Sequence, residues 1–431
     1  MIETPRVLII SNESISNSSS NGRTLRNFLI GWPKECIAQF YIQNSMPDYE
    51  VCDNYFRVSD KKALKAFFGM KIKKIPQDTI KNEKTNPNLR TPKGRNALTM
   101  MAREIVWNSN RWKNSGFDEW VESFKPDVIL LQAGDSGFAF RLAENLSDKY
   151  SLPLVIYNSE NFYFKNYDYF RAKGLAHWFY PVFRRHFCKQ LKETVEKVQK
   201  SIYICDMLQN DYDCEFHKPS VSIYTATEMK RLEAVNSHQA FVVSYLGNLG
   251  VGRHEPLIDI ATALHSISSD YYLDIYGKMP DEDTKNAMLS CPGIRYKGFV
   301  SYDEVRRVMG ESDVLVHAEN FNAFFREGLK RAFSTKIADT LASGTCFLLY
   351  APEEIACAQY LKKNEAAYVV SNKEELVSIL YQLAESPNNR DKYVEKAGAL
   401  VAKNHSVKKN AELFQTVLIE AVEDYNNRID K

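Results

Sequence analysis

No stretch of this 431-residue chain approaches the length of apolar sequence that crosses a bilayer. Its eight cysteines form no C-x-x-C pair, and no histidine–cysteine cluster has metal-ligand spacing. These absences argue against a membrane span, a disulfide scaffold and a structural zinc site. Cys36, Cys205 and Cys346 sit inside apolar runs and read as buried thiols of a reducing compartment. The net charge of +2 is too small to imply nucleic acid by bulk electrostatics. No fixed-period repeat is visible, which removes a solenoid. The opening MIETPRVLIISNE lacks a basic region before its short apolar run, so no signal peptide is expected and the expected location is cytoplasmic. Two D-x-D strings, Asp211–Asp213 and Asp281–Asp283, fall in helix or turn contexts and read as solvated acids. No metal and no separate cofactor is expected.

What the chain does hold is enough apolar sequence, 44% of residues, for two domains of about 200 residues each. Short apolar runs alternate with helical segments, so parallel sheets are the simplest outcome. Strands are expected at 6–11, 36–43, 127–132, 154–157, 201–205 and 221–224, with Asn21-Gly22-Arg23-Thr24 opening a helix after the first. Residues 58–112 interrupt this pattern. They hold a helix over Asp60–Met70 rich in lysine and phenylalanine, then Lys71, Lys73 and Lys74, then a polar stretch with three prolines that reads as a long loop. Tyr167–Glu196 reads as one helical region that Pro181 should kink, with Trp178, Phe179 and Phe183 among Arg171, Lys173, Arg184, Arg185 and Lys189. Both basic-aromatic segments suit either an inward-packed helix or a membrane surface. Residues 225–239 are polar and read as a linker. A second alternating set follows, with strands at 241–247, 272–277, 294–300, 314–317, 345–350 and 367–370.

The richest stretch is DVLVHAENFNAFFREGLKRAFSTKIADTLASGTCFLLYA, Asp313–Ala351. Ser334 suits a helix N-cap and Gly344 the left-handed residue past its end. A helix N-terminus with free N–H groups and a nearby Lys336 is an anion site; the alternative is an ordinary turn with a solvated lysine. Earlier, YLGNLGVGR gives a turn in which Gly250 and Gly252 let backbone approach a ligand closely.

The run STKIADTLASG resembles the donor-site motif of GT-B glycosyltransferases, in particular the bacterial members of family 4 that read S-T-K-I-x-[ED]-x-L-x-S-G. The opening around NGRTLRNFLIGWP is similar to the start of their acceptor domain. The resemblance implies an α/β chain of two Rossmann-like, doubly wound domains facing a central cleft. Its division would be 1–225 for the acceptor, with an insertion at about 58–112, a linker at 226–240, 241–405 for the nucleotide-sugar, and a helix at 406–431 crossing back. It implies diphosphate contacts from Gly250, Gly252, Arg253, Lys330, Arg331, Ser334, Thr335 and Lys336. Asp339 would take the ribose. Tyr276, Gly277, Phe299 and Val300 would border the nucleobase. Asn21, Gly22 and Arg23 would lie in an acceptor-side loop. Glu160, just past a strand, is the first catalytic candidate and Asp135 the second, with helix capping as the structural alternative for Glu160.

Two departures stand out. The first cation of the family's glycine-rich turn is here Asn248, leaving Arg253 as its second. The first acid of the family's E-x7-E pattern is here Arg331, so Glu319 and Glu327 are the candidates for the donor sugar. The implied activity is transfer of a sugar from a nucleotide-sugar to a glycan or lipid-linked acceptor, in bacterial surface polysaccharide or glycoconjugate assembly, with peripheral contact on the inner face of the membrane. A nucleotide-sugar epimerase of the same fold and a catalytically degenerate partner subunit are the alternatives.

Overall fold

In the computed structural model, the described residues are 4–17, 19–71, 95–232 and 241–429. The chain divides into two compact units, Met1–Tyr224 with Val407–Lys431, and Thr225–Ser406. Lys73, Lys74 and the polar prolines of the expected long loop lie outside the described residues.

The first unit is built on seven parallel strands: β1 Val7–Ser11, β2 Ile37–Tyr41, β3 Asn54–Arg57, β4 Val128–Gln132, β5 Leu154–Asn158, β6 Lys200–Tyr203 and β7 Ser220–Ser222. Their order across the sheet is β3-β2-β1-β4-β5-β6-β7. The central strands are buried along their whole length, which is why they read as continuous apolar runs. One face packs on the helices α1 Ser20–Phe28 and Val407–Ile429. Phe28 meets both Tyr157 and Phe414 there, at ring distances of 5.2 and 4.6 Å.

The second unit has six parallel strands: β8 Val243–Leu246, β9 Leu273–Tyr276, β10 Ile294–Gly298, β11 Val314–Ala318, β12 Cys346–Tyr350 and β13 Tyr368–Val370, ordered β10-β9-β8-β11-β12-β13. In each sheet the strand order reverses once, between β1 and β4 and between β8 and β11. In open parallel sheets ligands bind past the carboxyl ends of the strands at that point.

Three local expectations change. Asn21, Gly22 and Arg23 are not a loop but the first turn of α1, because the Ser19 hydroxyl caps the helix by accepting from the Gly22 amide at 3.1 Å. A Cβ on Gly22 would sit 2.6 Å from the Ser14 carbonyl, so only glycine fits. Pro181 does not kink a long helix. It stands in the first turn of the helix Tyr180–Lys197, where its missing N–H has no partner to lose, and Leu175–Trp178 is a separate turn. The described part of the expected linker is structured, with Thr227 bridging to Ser406 and Met229 buried.

Candidate functional site

The second unit's switch point is flanked by two loops. After β8 comes Gly247–Arg253; after β11 come Glu319 and Asn320. The first loop ties itself down. The Asn248 side chain accepts from the Gly250 amide at 2.8 Å, and the Tyr245 hydroxyl donates to the Asn248 carbonyl at 2.7 Å. Val251 and Gly252 are both left-handed, at φ 60° and 70°. For a β-branched residue that conformation is strained. Gly252 is obligatory, since a Cβ there would lie 2.5 Å from the Asn320 amide and 2.6 Å from the Phe325 ring.

The second loop locks the first. Asn320, fully buried, donates to the Gly252 carbonyl at 2.6 Å and accepts from the Asn322 amide at 2.6 Å. Glu319 takes the Arg253 fork through two hydrogen bonds, at 2.7 and 3.0 Å, and meets the His317 Nε2 at 3.0 Å. Burial pushes the Glu319 carboxyl up, but Arg253 and His317 outweigh it and hold it at about 2. His317 is pushed down, first by burial, so the ring stays neutral at ordinary pH. Arg253 therefore does not stand as an unshared cation, and the Glu319 carboxylate is engaged by Arg253 and His317. The two saturate each other because both are almost wholly enclosed.

Helix Lys336–Ser343 follows the second loop after the short helix Ala323–Leu329 and ends at Gly344, left-handed at φ 81° as expected. Its N-terminal cap differs from expectation. Thr335 is the cap residue, no side chain caps the first turn, and Ser334 instead receives the Ile337 amide on its carbonyl at 3.2 Å. Lys336 is the first helical residue and half-buried. Asp339 sits in that first turn and accepts from the Thr227 hydroxyl, which ties the start of the unit to this helix. Lys330 is half-buried; Arg331 pairs with Glu327 at 3.6 Å. Glu327 is thus engaged by a cation on its own segment.

At the far end of β9 and β10, Gly277 donates to the Gly298 carbonyl at 2.9 Å and lies against Gly247, whose carbonyl would be 2.1 Å from any Cβ at position 277. Tyr276 and Val300 are half-buried, and Phe299 presents 82% of its surface. An open ring beside a glycine backbone is the arrangement on which a planar base can stack.

The first unit's switch point is different in kind. Asp135 is nearly buried and paired with Arg95, so its charge is already matched. Glu160 keeps 56% of its side chain open and lies 3.9 Å from Lys165. Its carboxyl is pushed up, first by desolvation and against Lys165, then by Asp135 and Glu13. Lys165 stands over the rings of Phe162 and Tyr169 at 4.7 and 5.3 Å. Around them, buried polar atoms of Glu13, Gln132, Asn158, Asn161, Tyr169 and Arg184 have no hydrogen-bond partner. Sequence reading found Glu160 and Asp135 but missed these. The signal was present in NSENFYFKNYDYF, where asparagine and tyrosine crowd the end of a strand.

The D-x-D strings serve the fold: Asp213 accepts from Ser220 and Asp281 caps the helix Glu282–Leu289. Among the described residues no group of three or more histidine, cysteine or acidic side chains is placed to hold a metal.

Comparison with known proteins agrees with this geometry. Residues 256–416 match the family model described as glycosyl transferase-like. A comparison with curated proteins gives no match. Among solved structures, sucrose-phosphate synthase from Thermosynechococcus elongatus aligns over 96% of this chain and 98% of its own, with a TM-score of 0.61 at 10% identity. Anabaena Alr3699/HepE, in complex with UDP and glucose, aligns over 96% and 99%, with a TM-score of 0.61 at 9% identity. A mutant of S. aureus TarM, in complex with fondaparinux, α-GlcNAc-glycerol and UDP, aligns over 96% and 99%, with a TM-score of 0.57 at 11% identity. The chain has the GT-B fold of glycosyltransferases.

Proposed function

We propose that the chain is a glycosyltransferase that moves a sugar from a nucleoside-diphosphate sugar to a hydroxyl of a glycan or lipid-linked acceptor. The observation that carries this reading is the helix Lys336–Ser343. Its first turn has no side-chain cap and a lysine at its first position, within the segment that matches the glycosyl transferase-like model. Helix amides and a cation there oppose the charge that develops on a departing diphosphate. Arg331, paired with Glu327, and Lys330 are the next nearest cations in sequence. Phe299 gives the nucleobase a stacking face, and Asp339 serves the ribose while sharing Thr227. Two solved structures of the same fold hold UDP, so a uridine nucleotide is the first donor to test.

The acceptor belongs to the first unit. A polyhydroxyl compound offers donors and acceptors together, which is what unpartnered amide, carboxylate, hydroxyl and guanidinium groups require. Glu160, half-open with a raised pKa, is the candidate for receiving the proton of the attacking hydroxyl. The role in bacterial surface polysaccharide assembly, the cytoplasmic location and catalysis without a metal belong to the same proposal.

The test is release of nucleoside diphosphate from a panel of nucleotide-sugars, with and without chelator. Slow release from one donor, unaffected by chelator, is expected. Lys336→Ala should weaken binding of the matching nucleoside diphosphate by about 1.5–3 kcal/mol. Equal affinity in the variant overturns the donor assignment. The pairing of Arg253 with Glu319 favours one second reading, a catalytically silent partner subunit, which would bind nucleotide and release nothing.

A further inference from the structure

The described residues contain no helix long and apolar enough to cross a membrane, yet one side of the first unit leaves large apolar side chains in solvent. Leu175, Trp178 and Val182 are exposed by 82, 80 and 48%. Leu175 and Trp178 lie three apart on one short turn, and Val182 follows in the first turn of the next helix. Leu98, Ala102 and Ile105 form a second stripe, spaced four and three, on the helix Ala97–Asn108, with Leu98 and Ile105 exposed by 40 and 60%. Leu64 and Phe68, exposed by 45 and 69%, make a third on Asp60–Phe67 and its cap. The three adjoin: the middle helix packs on the first and on the turn carrying Trp178. Trp107 and Arg103 bind Asp60 at 2.8 and 2.7 Å and so fix the first helix to the second.

The exposed charge around this apolar surface is predominantly positive: Glu104 on the middle helix is buried, and Asp168 is held by His177. Lys61, Lys65 and Lys71 are exposed on one side of it, and Arg171, Lys173 and Arg185 on the other. Between 60 and 71 and between 171 and 189 the only acid is Asp60, already held by Arg103. An interior-packed face has no need of a solvent-facing tryptophan flanked by cations. An interface with an anionic bilayer uses both, since tryptophan and leucine enter the headgroup boundary while lysine and arginine meet lipid phosphate.

We propose that the face formed by helices 60–67, 97–108 and 175–182 binds the surface of a membrane containing anionic lipid. The proposal rests on the first unit alone and stands or falls separately from the assignment of a nucleotide-sugar donor.

The test is flotation of the full chain with phosphatidylcholine vesicles, with and without phosphatidylglycerol, at low and high salt. Binding is expected only with phosphatidylglycerol, weakened by salt, with the emission of Trp178 shifting to the blue. Leu175→Ser with Trp178→Ser, which removes apolar surface, and separately Arg171→Glu with Lys173→Glu, which removes two cations, should each reduce vesicle partition by roughly tenfold or more. All four side chains are exposed, so unchanged melting temperatures should confirm folding. Failure to float at low salt overturns the proposal. So does undiminished flotation of both variants. A concentration-dependent dimer that the serine variant abolishes, without vesicle binding, assigns the face to self-association instead.

Discussion

Two carboxylates, one in each unit, are equally hidden and oppositely treated. Glu319 and Glu104 are both 3% exposed. Glu319 has Arg253 and His317 at hydrogen-bond distance and titrates at about 2. Neither oxygen of Glu104 has a hydrogen-bond partner, and burial pushes its carboxyl to about 7 against the amides of Phe138 and Gly137 and the charges of Arg103 and Arg141. The same contrast holds for asparagines. Asn320 uses both ends of its amide, whereas the amide nitrogens of Asn158 and Asn161 find nothing. The second unit completes its strand-end loops internally and leaves the helix terminus that the proposed function gives to the donor without a side-chain cap. The first unit holds polar side chains in reserve. A diphosphate needs fixed amides and cations; a polyol needs groups that are still unspent.

The largest expected effect comes from breaking the completed side. Glu319→Gln leaves the enclosed Arg253 without its counter-ion, and removing one partner of a buried pair destabilises by about 3–5 kcal/mol. Urea unfolding of the second unit should show it at pH 7. The folded pKa is depressed, so this contribution is present above the unfolded value of 4.5 and is lost as pH falls toward about 2. Parent and variant should therefore converge in that window. A variant as stable as the parent would mean that the pair does not hold the loop.

The unfinished side should respond with the opposite sign. Glu104 has a raised folded pKa, so its native-state advantage is complete below 4.5 and lost as pH rises through about 7. Glu104→Gln should match the parent near pH 4 and exceed it at pH 8 by up to about 3 kcal/mol. Melting curves at the two pH values decide it. A loss of stability at pH 8 would show that Arg103 and Arg141 satisfy the charge after all.

A smaller contrast separates the asparagines. Asn320→Ala strips the buried Gly252 carbonyl and the part-buried Asn322 amide of their partner and should cost about 1–3 kcal/mol. Asn158→Ala removes an amide nitrogen that has no partner, so stability should move less while acceptor KM rises. Equal destabilisation of the two variants would erase the distinction between the units.

Much of this architecture was legible. Strands such as Val128–Gln132 are covered on both faces, so each appears as an unbroken apolar run between turn residues. Gly344 and the helix it ends were legible because a left-handed terminus leaves a strong residue preference. Partnership was not. The family resemblance makes Arg253 a clamp, but Glu319 lies 66 residues away and meets it only when β8 and β11 become neighbours. The same holds for Asp339 and Thr227, 112 residues apart. Ser19 and Ser334 sit in similar contexts, yet only the first caps with its hydroxyl, because Thr335 already adopts helical angles. The run NSENFYFKNYDYF shows where polar groups crowd, but which atoms stay unpartnered emerges only once every other group has found its bond.

The smallest effect concerns Val251, the one β-branched residue with a left-handed backbone among the described residues. Its φ is 60° and its side chain is 45% exposed, so no packing force holds the valine there. That conformation costs a non-glycine residue about 1–2 kcal/mol. Val251→Gly relieves it but gives back roughly 0.4–1 kcal/mol through the freer unfolded chain. The net gain in stability should be about 0.8 kcal/mol, the difference between the midpoints of those two ranges, readable as a small rise in the urea midpoint. If the turn is held ready for a diphosphate by Asn248, Asn320 and the Val251 conformation together, the looser glycine turn should also bind nucleoside diphosphate more weakly, by a fewfold. Stability and affinity would then move in opposite directions. A gain in both would show that the strained valine opposes the ligand, and that this unit's loops are complete for the fold rather than for binding.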